Sequence, residues 1–102
     1  MNIEIKERNG SYYGILTGWI DTAVATQFLE DLKPLMNHAN KSIILDCEKL
    51  EYICSLGLRG LLKLKKESAA KGGSFVLTHV DGEVLKILTM TGFFSEGFRL
   101  FA

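Results

Sequence analysis

The sequence lacks most of the features that mark a specialised class of protein. Its 102 residues include one proline and two cysteines, and 12 basic residues balance 12 acidic ones. A chain without net charge has no global field that would attract nucleic acid or an anionic membrane surface. No apolar run approaches the roughly 20 residues that a membrane-spanning helix requires. The sequence therefore predicts neither nucleic-acid binding nor direct insertion into a membrane.

The cysteines do not form a motif. Six residues separate Cys47 from Cys54, a spacing that matches no zinc or thioredoxin pattern. The first eight residues alternate charged and apolar side chains and contain no secretory signal. Thiols in such a chain are typical of a reducing compartment. We therefore expect a cytoplasmic protein that needs no metal and no cofactor.

Catalytic motifs are equally scarce. Ser55, His79 and Asp46 offer the residue types of a hydrolytic triad, but no Gly-x-Ser-x-Gly elbow surrounds the serine. Gly57 and Gly60 are not followed by the Gly-Lys-Ser/Thr of a phosphate-binding loop. The residue chemistry supports no reaction class, so we predict that the chain is not an enzyme.

An ordinary globular composition remains, with 47% apolar and 24% charged residues. This length and balance predict one domain over residues 1–102. Alternation around Ile3 and Ile5 predicts a strand, and Asn9-Gly10 predicts a hairpin turn. A second strand over residues 12–16 is expected to end at Thr17-Gly18.

Apolar residues at three- and four-residue steps then predict an amphipathic helix. Asp21 and Thr22 precede it as candidate N-caps. Pro34 lies inside the same stretch, where proline kinks or divides a helix.

The second half of the chain alternates strands and helices. The predicted elements are a strand over residues 42–45 ending in Asp46, a loop over 47–54, a helix over 55–70 stopped by Gly72-Gly73, a strand over 74–78, a helix between Asp81 and Gly92, and a strand over 98–101.

The nearly all-apolar strands predict burial on both faces, as in parallel sheets. The fold is therefore predicted to be α/β, with a mixed, mostly parallel sheet of four to five strands. It has an N-terminal hairpin, right-handed crossovers, and helices packed against the sheet.

One segment, from Asp46 to Leu58, leads from a buried strand into a helix. Ser55 falls at the predicted helix start, where serine is a natural N-cap. A helix start also presents unpaired N–H groups and the positive end of the helix dipole, which would tolerate a phosphate on Ser55. That phosphate would add about −1.5 to −2 charges and disturb a partner docked over the helix start.

The same segment resembles the signature of the STAS domain family, named for sulfate transporters and anti-sigma factor antagonists. The family signature runs from Asp or Asn through Leu-x-Phe/Tyr-Ile/Met to Asp-Ser-Ser/Thr/Ala-Gly-Leu. This chain has Asp46, then Leu-Glu-Tyr-Ile at residues 50–53 and Cys-Ser-Leu-Gly-Leu at residues 54–58. Residues 17–21, 72–73 and 88–94 match further family features, so the resemblance covers nearly the whole chain in order.

In the antagonist branch, the resemblance implies that Ser55 is phosphorylated by a serine kinase that is also an anti-sigma factor. The unphosphorylated protein binds that partner and frees the sigma factor, and a serine phosphatase resets the cycle. Asp21 corresponds to the family's acidic residue before the first helix. The predicted partner-binding residues are Asp21, Cys54, Ser55, Leu56, Gly57 and Leu58.

Two departures from the family signature leave alternatives open. Cys54 replaces the family's aspartate, and Leu56 replaces its second small hydroxyl residue. One alternative is a STAS subunit of a transport or lipid-trafficking complex that does not switch. Another is a redox sensor, because a thiol beside a helix N-terminus can gain reactivity.

Overall fold

Strands and helices alternate along the chain in the computed structural model, which describes residues 2–93 and the backbone of residues 99–101. The elements are β1 (Ile3–Arg8), β2 (Ser11–Ile20), α1 (Thr22–Asp31), α2 (Lys33–Met36), β3 (Ser42–Ile53), α3 (Ser55–Ala70), β4 (Ser74–Thr78), α4 (Gly82–Met90) and β5 (Arg99–Phe101). The strands form one sheet in the order β1-β2-β3-β4-β5. The predicted α/β class is thus confirmed.

The sheet begins with the predicted hairpin. β1 pairs antiparallel with β2, and the turn between them has Asn9 at φ 51° and Gly10 at φ 82°. Two successive positive φ values are the requirement of a tight hairpin turn, which asparagine and glycine meet at little cost. The pairs β2–β3, β3–β4 and β4–β5 are all parallel. The predicted mixed, mostly parallel sheet is therefore confirmed.

The hydrophobic core lies between one face of the sheet and the helices. Because β2, β3 and β4 run parallel, crossovers of one hand place the connecting helices on the same side. The buried residues that the two layers share are Leu16, Ile43, Leu45 and Leu77 from the strands and Phe28, Leu61 and Leu88 from the helices. Ile44 and Val76 point the other way and are only half-buried. The prediction of strands buried on both faces was wrong, since no helix of the described residues covers that second face.

Two predicted strand ends were also wrong, and they matter for the site. β2 continues through Thr17-Gly18 to Ile20, and β3 continues through the predicted loop to Ile53. The two extensions pair with each other, with register shifts near Gly18 (φ 73°). These irregularities break the period-two alternation, so the sequence pattern indicated a loop where a bulged strand forms.

The helices largely follow the predictions. The helix after Asp21 is divided at Pro34, which lies in the first turn of α2 where its missing N–H costs nothing. α3 spans the predicted residues 55–70. Asp81 takes the N-cap position of α4, but its side chain makes no capping hydrogen bond. In the last predicted strand, residue 98 lies outside the described residues.

Candidate functional site

The carboxyl ends of β2 and β3 bring two helix starts side by side. Ile20 and Ile53 are cross-strand partners at these ends, and both side chains are buried. The backbone N–H of Cys54 donates to the Ile20 carbonyl oxygen at 2.8 Å. The chain enters α1 after Ile20 and α3 after Ile53. Parallel sheets commonly bind their partners at this edge.

At the first of these starts, the side chain of Asp21 caps α1. Its Oδ1 accepts hydrogen bonds from the backbone N–H groups of Ala23 at 3.1 Å and Val24 at 3.3 Å. The predicted N-cap is confirmed, and Asp21 remains exposed. Two of the unpaired N–H groups of α1 are thereby satisfied.

At the second start, Cys54 rather than Ser55 is the N-cap. Cys54 has extended backbone (φ −82°, ψ 171°) and Ser55 is the first helical residue. The first helical hydrogen bond runs from the Leu58 N–H to the Cys54 carbonyl at 2.9 Å. Ser55 is therefore not the natural N-cap that its residue type suggested, because the hydrogen bond between Cys54 and Ile20 holds Cys54 extended and the helix begins one residue later. No side chain of the described residues caps α3.

Because Cys54 is the N-cap, the Ser55 hydroxyl does not cap α3. Ser55 is exposed, and its hydroxyl makes no hydrogen bond within the described part of the chain. An exposed, unbonded hydroxyl on the first turn of a helix is accessible to a modifying enzyme. A phosphate placed there would also meet the positive end of the helix dipole.

The six predicted partner-binding residues divide into an exposed and a buried set. Asp21, Ser55 and Leu56 are exposed, and Leu56 retains 36% of its accessible surface. Cys54 and Leu58 are buried, with 7% and 8% exposed. Leu58 belongs to the hydrophobic core, which leaves little of its side chain for an apolar contact, and its role in partner binding stays a prediction.

Gly57 is also buried, and it lets α3 approach the strand ends. A Cβ at this position would lie 3.0 Å from Ile53 Cγ1 and 3.1 Å from Ile20 Cγ2. These distances are tighter than ordinary contacts between carbon atoms. Gly57 thus permits the close packing of α3 against the two strand ends, and its predicted contact with a partner stays a prediction.

Sequence reasoning missed a stacked aromatic pair near the same edge, formed by an exposed tryptophan and a half-buried tyrosine. Trp19 is 59% exposed, and its ring stacks on Tyr52 with centroids 5.1 Å apart. The two residues are cross-strand partners one position before Ile20 and Ile53. The single tryptophan of the sequence could have drawn attention to this position. Its pairing with Tyr52 could not be predicted, because Tyr52 lies in the part of β3 that the sequence pattern indicated as a loop.

The two cysteines occupy different kinds of buried position. Burial, with a smaller effect from the neighbouring Asp46 carboxylate, raises the pKa of the Cys47 thiol to about 12. Cys54 is closed off by α3 and the strand ends, with 7% exposed. A redox-sensing cysteine needs solvent access, so this burial argues against the redox alternative.

The residue types of a hydrolytic triad do not assemble. His79 Nδ1 lies 3.1 Å from Asp46 Oδ1, but Ser55 follows β3, which continues for seven residues beyond Asp46. At about 3.3 Å per residue, an extended strand of that length spans roughly 20 Å. Ser55 is therefore out of reach of the histidine.

Two further properties of the described residues bear on the site. None of the described helices has the length and apolar character needed to cross a bilayer. Residues 2–93 also contain no group of three histidine, cysteine or carboxylate side chains arranged to hold a metal ion.

A hairpin-led parallel sheet that carries an exposed serine where its central strand meets a helix is the architecture of a STAS domain. The family model for the STAS domain matches residues 2–102, and the chain belongs to this family.

Individual relatives agree with this assignment. The chain is 27% identical over 95 residues to BtrV of Bordetella bronchiseptica, whose name describes an anti-sigma factor antagonist, and the match covers 93% of this chain and 82% of BtrV. A crystal structure named for an anti-sigma factor antagonist of Thermotoga maritima has a TM-score of 0.83 at 17% identity, covering 98% of this chain and 86% of that one. The phosphorylated Bacillus cell fate determinant SpoIIAA has a TM-score of 0.73 at 18% identity, covering 98% and 90%.

Proposed function

We propose that this chain is an anti-sigma factor antagonist that switches partners through phosphorylation of Ser55. Unphosphorylated, it binds a serine kinase that also acts as an anti-sigma factor, and so frees the sigma factor. The kinase ends this contact by phosphorylating Ser55, and a serine phosphatase restores the binding form. The exchange takes place in the cytoplasm.

The exposed and unbonded hydroxyl of Ser55 carries this proposal. Its neighbours at the strand ends are Asp21 and Leu56, which are also exposed and would give a partner one polar and one apolar contact. The names of BtrV and of the Thermotoga protein support the antagonist class. SpoIIAA supports the use of phosphorylation, since it is named in a phosphorylated form.

In the proposed step, the γ-phosphoryl group of ATP moves to Ser55 Oγ. The bond from the γ-phosphorus to the bridging oxygen breaks, ADP leaves, and the hydroxyl proton passes to a base of the kinase. The product carries about −1.5 to −2 charges at neutral pH on a residue that was neutral. Because Leu56 lies beside Ser55, this charge would face an apolar contact and weaken it.

Two substitutions at Ser55 test the switch. We expect the Ser55→Ala variant to bind the kinase as tightly as wild type and the Ser55→Asp variant to bind at least tenfold more weakly, measured by calorimetry with the purified kinase. Ser74→Asp is the matched control. Ser74 is also exposed, but it is the first residue of β4 and so lies at the amino ends of the parallel strands, away from Ser55. Equal affinities for Ser55→Ala and Ser55→Asp would refute the switch.

A second candidate function is a STAS subunit that binds its complex permanently. The observation that favours it is the loss of the family's signature aspartate, since Cys54 at that position is buried and offers no carboxylate. Under this candidate, the chain would co-purify with an ATP-binding transport subunit. Neither substitution at Ser55 would then release it.

A further inference from the structure

Ser55 shares one face of α3 with a cation. Arg59 lies four residues after Ser55, and Leu62 lies three residues further, which is the spacing of a single helix face. These residues line a groove that is closed on its other side by residues 91–93, after the end of α4. A group attached to Ser55 would therefore extend along the same surface as the Arg59 side chain.

The guanidinium of Arg59 is available to bind an anion. Arg59 is exposed, and within residues 2–93 its guanidinium makes no ion pair or hydrogen bond. Two other exposed cations are already paired, since Lys33 contacts Glu30 at 2.8 Å and Lys71 contacts Glu67 at 3.4 Å. Each of these two lysines has a glutamate three or four residues before it, whereas Arg59 has Ser55 four residues before it. Lys63 and Lys66 are also exposed on α3, but they lie eight and eleven residues after Ser55.

We propose that Arg59 is the intramolecular acceptor for the phosphoryl group on Ser55. This inference rests on the proposed function and adds the residue that receives the phosphate within the domain. The anion would precede the cation by four residues, which is the favourable orientation of such a pair on a helix. A guanidinium can also donate two parallel hydrogen bonds to phosphate oxygens, which an ammonium cannot.

The pair has a consequence for the partner surface. Phosphorylation would add negative charge at Ser55 and at the same time remove Arg59 from contacts with the partner. The carboxylate of a Ser55→Asp variant is shorter and carries a single charge, so it would engage Arg59 less well. This substitution would then reproduce the added negative charge that weakens the partner contact, but not the full pairing with Arg59.

The test is a phosphorus NMR titration of the full chain with phosphoserine installed at position 55 during translation, which requires no kinase. A nearby cation lowers the second pKa of the phosphate, ordinarily about 6. We expect Arg59→Gln to raise that pKa by about 0.2 to 0.4 unit, the size expected for an exposed helix pair. Arg59→Lys should restore part of the difference, and 1 M salt should reduce it.

Lys63→Gln is the matched control, since it removes one positive charge from an exposed position of the same helix. Lys63 lies eight residues from Ser55, about 12 Å along the axis and beyond the screening length at physiological salt. Equal pKa values in wild type, Arg59→Gln and Lys63→Gln would overturn the proposal, as would equal shifts in the two variants. Failure of the kinase to phosphorylate Ser55 would refute the proposed function and leave this titration unaffected.

Discussion

The starts of α1 and α3 lie side by side and differ in one respect. Both follow a buried isoleucine, and both N-caps have the same extended backbone, with φ −92° and ψ −175° at Asp21 and φ −82° and ψ 171° at Cys54. The Asp21 carboxylate binds two N–H groups of α1, whereas the Cys54 thiol binds none of α3. We call the start of α1 closed, because a side chain caps it, and the start of α3 open, because none does.

This difference is consistent with the switch that we propose at the start of α3. A capped start gains stability from its own sequence and offers little to an incoming anion. The uncapped start of α3 keeps its first N–H groups and the Ser55 hydroxyl available. The start of α4 also lacks a capping side-chain hydrogen bond, so our interpretation of the α3 start as a functional site depends on the exposed Ser55 hydroxyl that it carries.

The largest expected effect comes from removing the support that both starts share. Ile53 is 1% exposed and packs at the end of β3, directly before Cys54. We expect Ile53→Ala to lower the free energy of unfolding by about 2–5 kcal/mol, because it leaves a cavity beside Gly57 of α3 and the paired strand end at Ile20. Urea denaturation measures the loss. Ile53→Val, the matched control, should cost about 0.5–1.5 kcal/mol, and equal costs for the two would mean that the strand end is loosely packed.

Opening the closed start should have a smaller effect. Asp21→Ala removes the oxygen that accepts from Ala23 and Val24, and we expect it to destabilise the protein by about 1 kcal/mol. Asp21→Asn keeps an accepting oxygen and should lose only part of this. The comparison between the two starts would fail if Asp21→Ala were as stable as wild type.

Closing the open start should have an effect of similar or smaller size and opposite sign. Because the backbone of Cys54 matches that of Asp21, a Cys54→Asp carboxylate would accept from the N–H groups of Leu56 and Gly57. Capping contributes about 0.5–2 kcal/mol, and burial of the carboxylate at this position, where Cys54 is only 7% exposed, offsets much of it. We expect a net gain below about 1 kcal/mol in urea denaturation. Cys54→Ala, which has no capping oxygen, should show no gain.

The smallest effect is expected at Ser55. Its hydroxyl makes no hydrogen bond within the described residues, so Ser55→Ala should change the free energy of unfolding by less than about 0.5 kcal/mol. Thermal unfolding followed by circular dichroism measures this directly. A cost above 1 kcal/mol would show that the hydroxyl has a structural role and would weaken its interpretation as a free switch.

Much of this comparison was predictable from sequence, but its central contrast was not. Asp21 as an N-cap and the boundaries of α3 follow from local propensity and periodicity. The identity of the other cap depends on the hydrogen bond between Cys54 and Ile20, two residues far apart in sequence. That bond requires β2 and β3 to extend through irregular pairing, which period-two alternation does not reveal. For the same reason, burial of Leu58 and the stack of Trp19 on Tyr52 were beyond sequence reasoning.

The most direct test of the account is intact-mass analysis after incubation with the cognate serine kinase and ATP. We predict that wild type gains one phosphoryl group, that peptide mapping places it on Ser55, and that the Ser55→Ala variant gains none. Absence of a phosphoryl group on wild type, or its presence on the Ser55→Ala variant in equal amount, would contradict the claim that the open start of α3 is the switch.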